Sequence, residues 1–359
     1  MKNKIKTLKT LKDVNCQNKK IIVRAGLNVP VSEAGEILDD SRLQAAKRSL
    51  DYIFQSSPAL VLVTAHWGRP KGRPVERLSL RNLVPSWEKI LQRRIVFIDK
   101  LERLQAIKQA GVFDDQAVYL LENLRFWPNE EANDQEFARF IAQDFDLYVN
   151  DAFSVSHRSH SSITQFPCFT REAVAGLLFA EEYQHLSQVR DNPQQPAVAI
   201  IGGAKTATKL PVIKHLERKY AKILVAGKVA NEILDQKIKF GEKVVLPVDF
   251  APVEEEEKRL DIGPLTVAIF RKEIIAAQTI VWNGPVGKFE AEKTARGTKK
   301  IIEYLEDSAA FKVIGGGETL AAVKKFGDLS KYDYVSYGGG AMLEFLSGRE
   351  LPGIAVLLS

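Results

Sequence analysis

Cysteine is nearly missing from this chain: Cys16 and Cys168 are the only two in 359 residues. Two thiols cannot build a disulfide framework and are too sparse for a zinc site, so a reducing compartment, the cytoplasm, is expected. No stretch approaches the ~20 apolar residues of a membrane span. Residues 1–10 carry lysines with no apolar segment behind them, which does not read as a signal peptide. An excess of one charge is also lacking: 51 Lys and Arg stand against 45 Asp and Glu, a formal +6. The cations are dispersed and form no basic stripe with interleaved aromatics, which argues against a nucleic-acid binder. Two common phosphate motifs are absent, Gly-x-x-x-x-Gly-Lys-[Ser/Thr] and a Gly-x-Gly-x-x-Gly after the first strand. A P-loop ATPase and an ordinary dinucleotide dehydrogenase are therefore disfavoured.

What is present is a soluble globular composition, 45% hydrophobic and 27% charged, in a chain long enough for two cores. Short β-branched runs at 21–24, 59–63, 95–98, 117–121 and 147–149 read as buried parallel strands. Between them the spacing predicts helices over 41–54, 79–91 and 134–142, with Ser41, Ser79 and Asn133 as N-caps. A second series of strands is expected at 197–201, 222–225, 244–246, 279–282 and 311–314, with helices near 205–218, 294–306 and 318–326. Residues 174–190 read as a connecting helix that Asp191-Asn-Pro-Gln-Gln-Pro196 breaks. The run Glu254–Glu257 reads as a solvated face.

Two blocks of alternating β and α make two doubly wound parallel-sheet domains. The expected division is 1–175, a linker helix at 176–196, 197–345, and a C-terminal segment at 346–359 that packs back on the first domain. Ligands of such sheets bind beyond the carboxyl ends of the strands. In the second block these exits are Gly-rich: Ile201-Gly-Gly-Ala-Lys205, Asn283-Gly-Pro-Val-Gly287, Ile314-Gly-Gly-Gly-Glu-Thr319 and Ser336-Tyr-Gly-Gly-Gly-Ala341. Glycine lets a phosphate approach the backbone, and a helix start offers it free N–H groups, so a nucleotide is the expected ligand. The exits of the first block carry Arg24, Arg42, His66, Arg69, Arg125, His157, Arg158 and His160. Guanidinium forks suit phosphate and carboxylate groups. His157 and His160 have no carboxylate or cysteine partner at metal-site spacing, so a basic patch is the better reading.

Together these segments resemble the phosphoglycerate kinase family over almost the whole chain. The resemblance rests on Val23-Arg-Ala-Gly-Leu-Asn-Val-Pro30, Asp39-Asp-Ser-Arg42, Ala65-His-Trp-Gly-Arg-Pro-Lys-Gly72, Leu121-Glu-Asn-Leu-Arg-Phe126 and Val149-Asn-Asp-Ala-Phe153. Gly202-Gly-Ala-Lys205, Leu260-Asp-Ile-Gly-Pro264, Val281-Trp-Asn-Gly-Pro285, Gly315-Gly-Gly-Glu-Thr319, Gly338-Gly-Gly-Ala341 and Leu351-Pro-Gly353 follow in family order. It implies reversible phosphoryl transfer between 1,3-bisphosphoglycerate and ADP in glycolysis, by a monomer whose two domains close on a hinge around the ligand cleft. Asn28, Arg42, His66, Arg69, Arg125 and Arg158 would hold the acid substrate, with Arg24 and His157 in the same patch. Arg42, Lys205 and Lys209 would stabilise the transferring group, helped by backbone N–H donors at Gly316, Gly317, Gly339 and Gly340. Gly203, Gly227, Asn283, Pro285, Glu290 and Thr319 would line the nucleotide site, and Glu318 would serve Mg²⁺.

The chain also departs from the family pattern. Gly26 stands where the family has a substrate-contacting Asp, and Thr208 where it has an Asp. Glu318 stands where it has the metal Asp, and Lys228 where it has a Gly. Asp235 runs almost directly to Val244, which abbreviates the expected adenine side. These changes leave a second reading open, a pseudoenzyme of the same fold that binds nucleotide or phosphorylated acids as a regulator or scaffold.

Overall fold

The structure, a computed structural model, describes residues 8–252 and 258–358. The expected acidic face at Glu254–Glu257 lies outside the described residues. The chain divides into two compact units, Met1–Glu181 with Glu350–Ser359, and Glu182–Arg349.

The first unit holds six strands: β1 (Lys20–Ala25), β2 (Leu60–Thr64), β3 (Ile95–Ile98), β4 (Val118–Leu121), β5 (Leu147–Asp151) and β6 (Glu172–Ala175). They form one sheet in the order β3-β4-β2-β1-β5-β6, every pairing parallel. Strands β2, β4 and β5 are buried at every residue, because a parallel sheet is covered on both faces. The cover includes α1 (Ser41–Phe54), α2 (Val84–Leu91), α3 (Leu101–Ala110), α4 (Pro128–Glu131) and α5 (Gln135–Ala142). Helix α1 buries Leu43, Ala46, Leu50, Ile53 and Phe54, a stripe at helical spacing. Trp87 of α2 has no exposed surface.

Helix α6 (Leu177–Asp191) contains the boundary between the units. The second unit holds β7 (Ala197–Ile201), β8 (Lys222–Val225), β9 (Val244–Val245), β12 (Thr279–Asn283), β13 (Phe311–Gly315) and β14 (Tyr334–Ser336). Their order is β14-β13-β12-β7-β8-β9, again all parallel. A separate antiparallel ribbon pairs β10 (Phe250–Ala251) with β11 (Asp261–Ile262). The helices are α7 (Thr206–Leu216), α8 (Gly227–Asp235), α9 (Pro264–Ala276), α10 (Arg296–Glu306), α11 (Gly317–Phe326) and α12 (Gly340–Leu346). Trp282, Phe270, Ile301 and Leu305 are among the fully buried side chains of this core. The last helix, α13 (Pro352–Ala355), belongs to the first unit.

Four local expectations are corrected. The segment 174–190 is not all helix: β6 occupies its start, and α6 begins only at Leu177. Helix α5 is capped by Asp134, whose carboxylate accepts from Phe137 N at 2.7 Å, while Asn133 sits at φ 57° in the turn before it. Residues 79–83 form a tight 3-10 turn ahead of α2, capped as expected by Ser79, and the N-cap of α1 is Asp40 rather than Ser41.

Candidate active site

In the first unit, parallel register brings the strand exits side by side. Arg24 of β1 pairs with Thr64 of β2 and with Asn150 of β5. Two cross-links join the loop after β1 to the loop after β2: Gly68 N donates to Asn28 Oδ1 at 2.8 Å, and Trp67 Nε1 to Val29 O at 2.9 Å. Buried Asn123 ties in the loop after β4 by donating to Trp67 O and Leu78 O and accepting from Trp67 N and Arg125 N. Arg125 then donates to Gly68 O at 2.9 Å and pairs with Glu131 at 3.3 Å. Arg42 stands in the first turn of α1, the end of a helix where the dipole disfavours a cation, and reaches Ser154 Oγ at 3.4 Å. Arg69 and Arg158 are exposed, His157 is half-buried, and His66 is only 5% exposed.

The electrostatics show how crowded this patch is. Burial, then Arg24, Arg125, Arg42 and His160, holds the His66 imidazole well below its usual range. His160 is pushed down to about 4 by burial and then by Arg125 and Arg24. Even Arg125 is lowered to about 10, by burial first and Arg24 second. So many cations at one set of strand exits make a strong anion site. Arg24 itself differs from the rest, because it has no exposed surface and its nitrogens are bonded within the protein.

In the second unit, Ile201, Val225, Asn283, Gly315 and Ser336 stand level across five strands. The turns beyond them interlock through backbone contacts. Gly203 N donates to Pro285 O at 2.8 Å, Gly227 N to Val286 O at 3.1 Å, and Val229 N to Gly203 O at 3.2 Å. Gly203 has φ +74°, which favours glycine, and a Cβ there would sit 2.8 Å from Lys209 Nζ, so a larger residue would also displace that ammonium. Asn283 Nδ2 donates to Gly315 O at 2.8 Å, and the buried Thr319 hydroxyl accepts from Gly284 N at 2.7 Å. Helices α7, α8, α11 and α12 all begin at these exits, and none has a side-chain N-cap bond. The N-cap residues of α9 and α10 make no such bond either, but carboxylates from elsewhere accept from their first turns, Asp249 from Leu265 N and Thr266 N, and Asp261 from Gly297 N. First-turn N–H groups without a partner suit phosphate oxygens, although in α8 Gly227 N and Val229 N are already taken by Val286 O and Gly203 O.

Lys209 is the one deeply buried cation at this set of turns among the described residues. It is 4% exposed, its ammonium donates to Gly202 O, and burial lowers it to about 8, with Glu318 acting in the opposite sense. Lys205 and Glu318, whose charges act on it, are exposed, as are Lys228, Glu290 and Gly317. No group of three His, Cys, Asp or Glu capable of holding a metal occurs among the described residues. A lone exposed carboxylate such as Glu318 fits a hard cation that arrives on nucleotide phosphates.

A depression of about 490 Å³ at the amino end of β1 is not a comparable anion site. Its cations are already paired, Lys9 and Lys19 with Glu172 and Arg171 with Asp146. Glu130 and Ser162, which lie behind the basic patch, are absent from the expectations. Their partners are 32 and 138 residues away in sequence, and no local pattern marks them. No helix among the described residues is long and apolar enough to cross a membrane.

A family model described as phosphoglycerate kinase matches residues 11–251 and 233–349. The chain is 36% identical to the phosphoglycerate kinase of Chlorobium phaeobacteroides over 393 residues, covering 97% of this chain and 99% of that protein. It is 36% identical to that of Finegoldia magna, with 96% and 98% covered. Among solved structures, phosphoglycerate kinase from Coxiella burnetii superposes with a TM-score of 0.85 at 30% identity, covering 98% of this chain and 99% of that one. The Pyrococcus horikoshii enzyme gives 0.82 at 28% identity, with 98% of each chain covered.

Proposed function

Because the chain belongs to the phosphoglycerate kinase family, we propose that it catalyses reversible phosphoryl transfer between 1,3-bisphosphoglycerate and ADP, giving 3-phosphoglycerate and ATP. The first unit is the acid-binding domain. Arg42, Arg69, Arg125 and Arg158, with Asn28, His66 and His157, take the phosphate and carboxylate of 3-phosphoglycerate. The second unit is the nucleotide domain, with the turns at Gly203, Gly227, Asn283, Pro285, Gly316 and Thr319 around the phosphates and Glu290 toward the ribose. The protein works as a cytoplasmic monomer.

The chemistry needs no covalent residue. A β-phosphate oxygen of ADP attacks the acyl phosphate, the new P–O bond forms as the bond to the acyl oxygen breaks, and a carboxylate leaves. No proton has to move. Rate comes from in-line positioning and neutralisation of the equatorial oxygens. Arg42, Lys205 and Lys209 supply positive charge, and the backbone N–H groups of Gly317 and Gly340 supply oriented donors. Mg²⁺ held by Glu318 and the nucleotide phosphates would add charge neutralisation.

The observation that carries this reading is the burial of Lys209. A scaffold has no use for an ammonium desolvated between glycine turns, and such a group costs stability unless an anion meets it. The test is ATP formation from 1,3-bisphosphoglycerate by the purified protein, with Arg42→Ala as the control. Turnover should fall by roughly two to three orders of magnitude in the control, as for loss of a charge-stabilising group. A native protein no faster than Arg42→Ala overturns the enzyme reading.

A further inference from the structure

Arg24 is among the largest side chains with no exposed surface. Its Nε donates to Ser162 Oγ at 2.9 Å and its Nη1 to Ala25 O at 2.6 Å, while Nη2 lies 2.9 Å from His66 Nδ1. A guanidinium can only donate, so His66 Nδ1 must present a lone pair, and the ring proton is on Nε2. A doubly protonated ring would set two N–H groups against each other. Behind Arg24, the Ser162 hydroxyl donates to Glu130 Oε1 at 2.6 Å, and Ser162 N donates to Glu130 Oε2 at 2.9 Å. Glu130 is fully buried. A continuous relay therefore runs from a buried carboxylate through a hydroxyl and a guanidinium to an imidazole in the anion patch.

We propose that Glu130, Ser162 and Arg24 are positioning residues that hold His66 as the Nε2–H tautomer, so that the ring meets an anionic substrate oxygen as a hydrogen-bond donor. This rests on His66 being a ligand of the acid substrate, as read above. The patch already contains the charges of Arg42, Arg125 and Arg158, which act on its histidines. A neutral donor adds direction there without adding repulsion. The opposite tautomer would turn a lone pair toward the substrate anion. Burying opposite charges such as Arg24 and Glu130, here bridged by the Ser162 hydroxyl, contributes little net stability, which fits a role in geometry.

Nitrogen-15 NMR of the histidine-labelled full-length protein reads the tautomer directly. There are five histidines, and His66→Gln assigns the signal. The expected pattern is an unprotonated Nδ1 with a protonated Nε2. Ser162→Ala should mix the two tautomers and raise the KM for 3-phosphoglycerate about five- to tenfold, with kcat within about twofold. Ser162→Thr, which keeps the hydroxyl, should return both toward the native values. A proton on Nδ1 in the native protein overturns the proposal, as does a tautomer and KM that Ser162→Ala leaves unmoved. If Ser162→Ala fails to fold, the native tautomer decides alone. The Nε2–H tautomer in a protein without turnover would support this inference while removing the proposed reaction.

Discussion

Lys209 is a cation whose usual pKa of 10.5 burial lowers to about 8, so it is protonated below that pH and neutral above it. If the ammonium is what the transferring phosphoryl group meets, kcat/KM for ATP should fall as pH rises past about 8, because that ratio reports the free enzyme. Bound phosphates favour the charged form, so the limb in kcat should lie higher; coincident limbs in a pH–rate profile would contradict this. Lys209→Ala should cost roughly 100-fold or more in kcat and far less in ADP affinity by calorimetry, as for a group used in the transition state. Equal losses would remove that role. Gly26 poses the complementary case. A Cβ added there meets only Arg42 Nη1, at 3.9 Å, and its backbone conformation suits any residue. Gly26→Asp should therefore fold normally and lower the KM for 3-phosphoglycerate roughly fivefold, one restored hydrogen bond. A raised KM would mean that the new carboxylate captures Arg42 instead. Residues of this kind were legible in the sequence because motif spacing carries them: Arg42 and Lys209 stand beside recognisable neighbours. Glu130 and Ser162 were not legible, since their meaning comes from burial against residues distant in the chain.

At the scale of elements, a carboxylate from a neighbouring strand holds the start of one helix beside the glycine turns. Asp261 accepts from Gly297 N in the first turn of α10 at 2.7 Å and from Ile262 N at 2.9 Å. Burial raises Asp261 from 3.8 to about 7, its two backbone hydrogen bonds pulling the other way. The folded state therefore binds this proton more tightly than the unfolded chain does. Its ionisation penalty is absent below about 4 and grows as pH rises, reaching its full size above about 7. Compared with Asp261→Asn, the native protein should lose relative stability across that window, by at most about 1.4 kcal/mol per pH unit. Denaturant titrations of both proteins at pH 5 and 8 measure it, and a pH-independent difference would show the carboxyl to be satisfied when charged. Strands such as Ile95–Ile98 and Lys222–Val225 were legible to the residue, because short β-branched runs with polar ends leave little choice. The end of strand β6, Val174 and Ala175, reads as the start of the neighbouring helix because the apolar run continues without a break into α6, and only pairing with β5 separates the two. The β10–β11 ribbon, at two residues a strand, carries no periodicity to read.

At the scale of the molecule, the chain completes its first unit last. Residues from Glu350 onward belong to that unit although 168 residues of the second unit precede them. Leu351, Ile354 and Leu357 are at most 3% exposed, Gly353 N donates to Ser156 O at 2.9 Å, and Leu358 bridges to Leu8. Ser156 directly precedes His157 and Arg158, so the final segment buttresses the loop that carries two of the proposed acid ligands. Removing the chain from Glu350 onward exposes those three apolar side chains' partners, a loss on the order of 5 kcal/mol at the usual burial energies. Trp67, Trp87 and Trp127 lie in the first unit and Trp282 in the second, so in a Trp282→Phe background fluorescence follows the first unit alone. The truncated protein should show a markedly lower denaturation midpoint by that signal. At low denaturant, where it remains folded, the KM for 3-phosphoglycerate should rise more than the KM for ATP. An unmoved midpoint would mean that the segment adds little to the unit. A KM rise shared equally by both substrates would mean that its effect is general and that the His157–Arg158 loop does not depend on it.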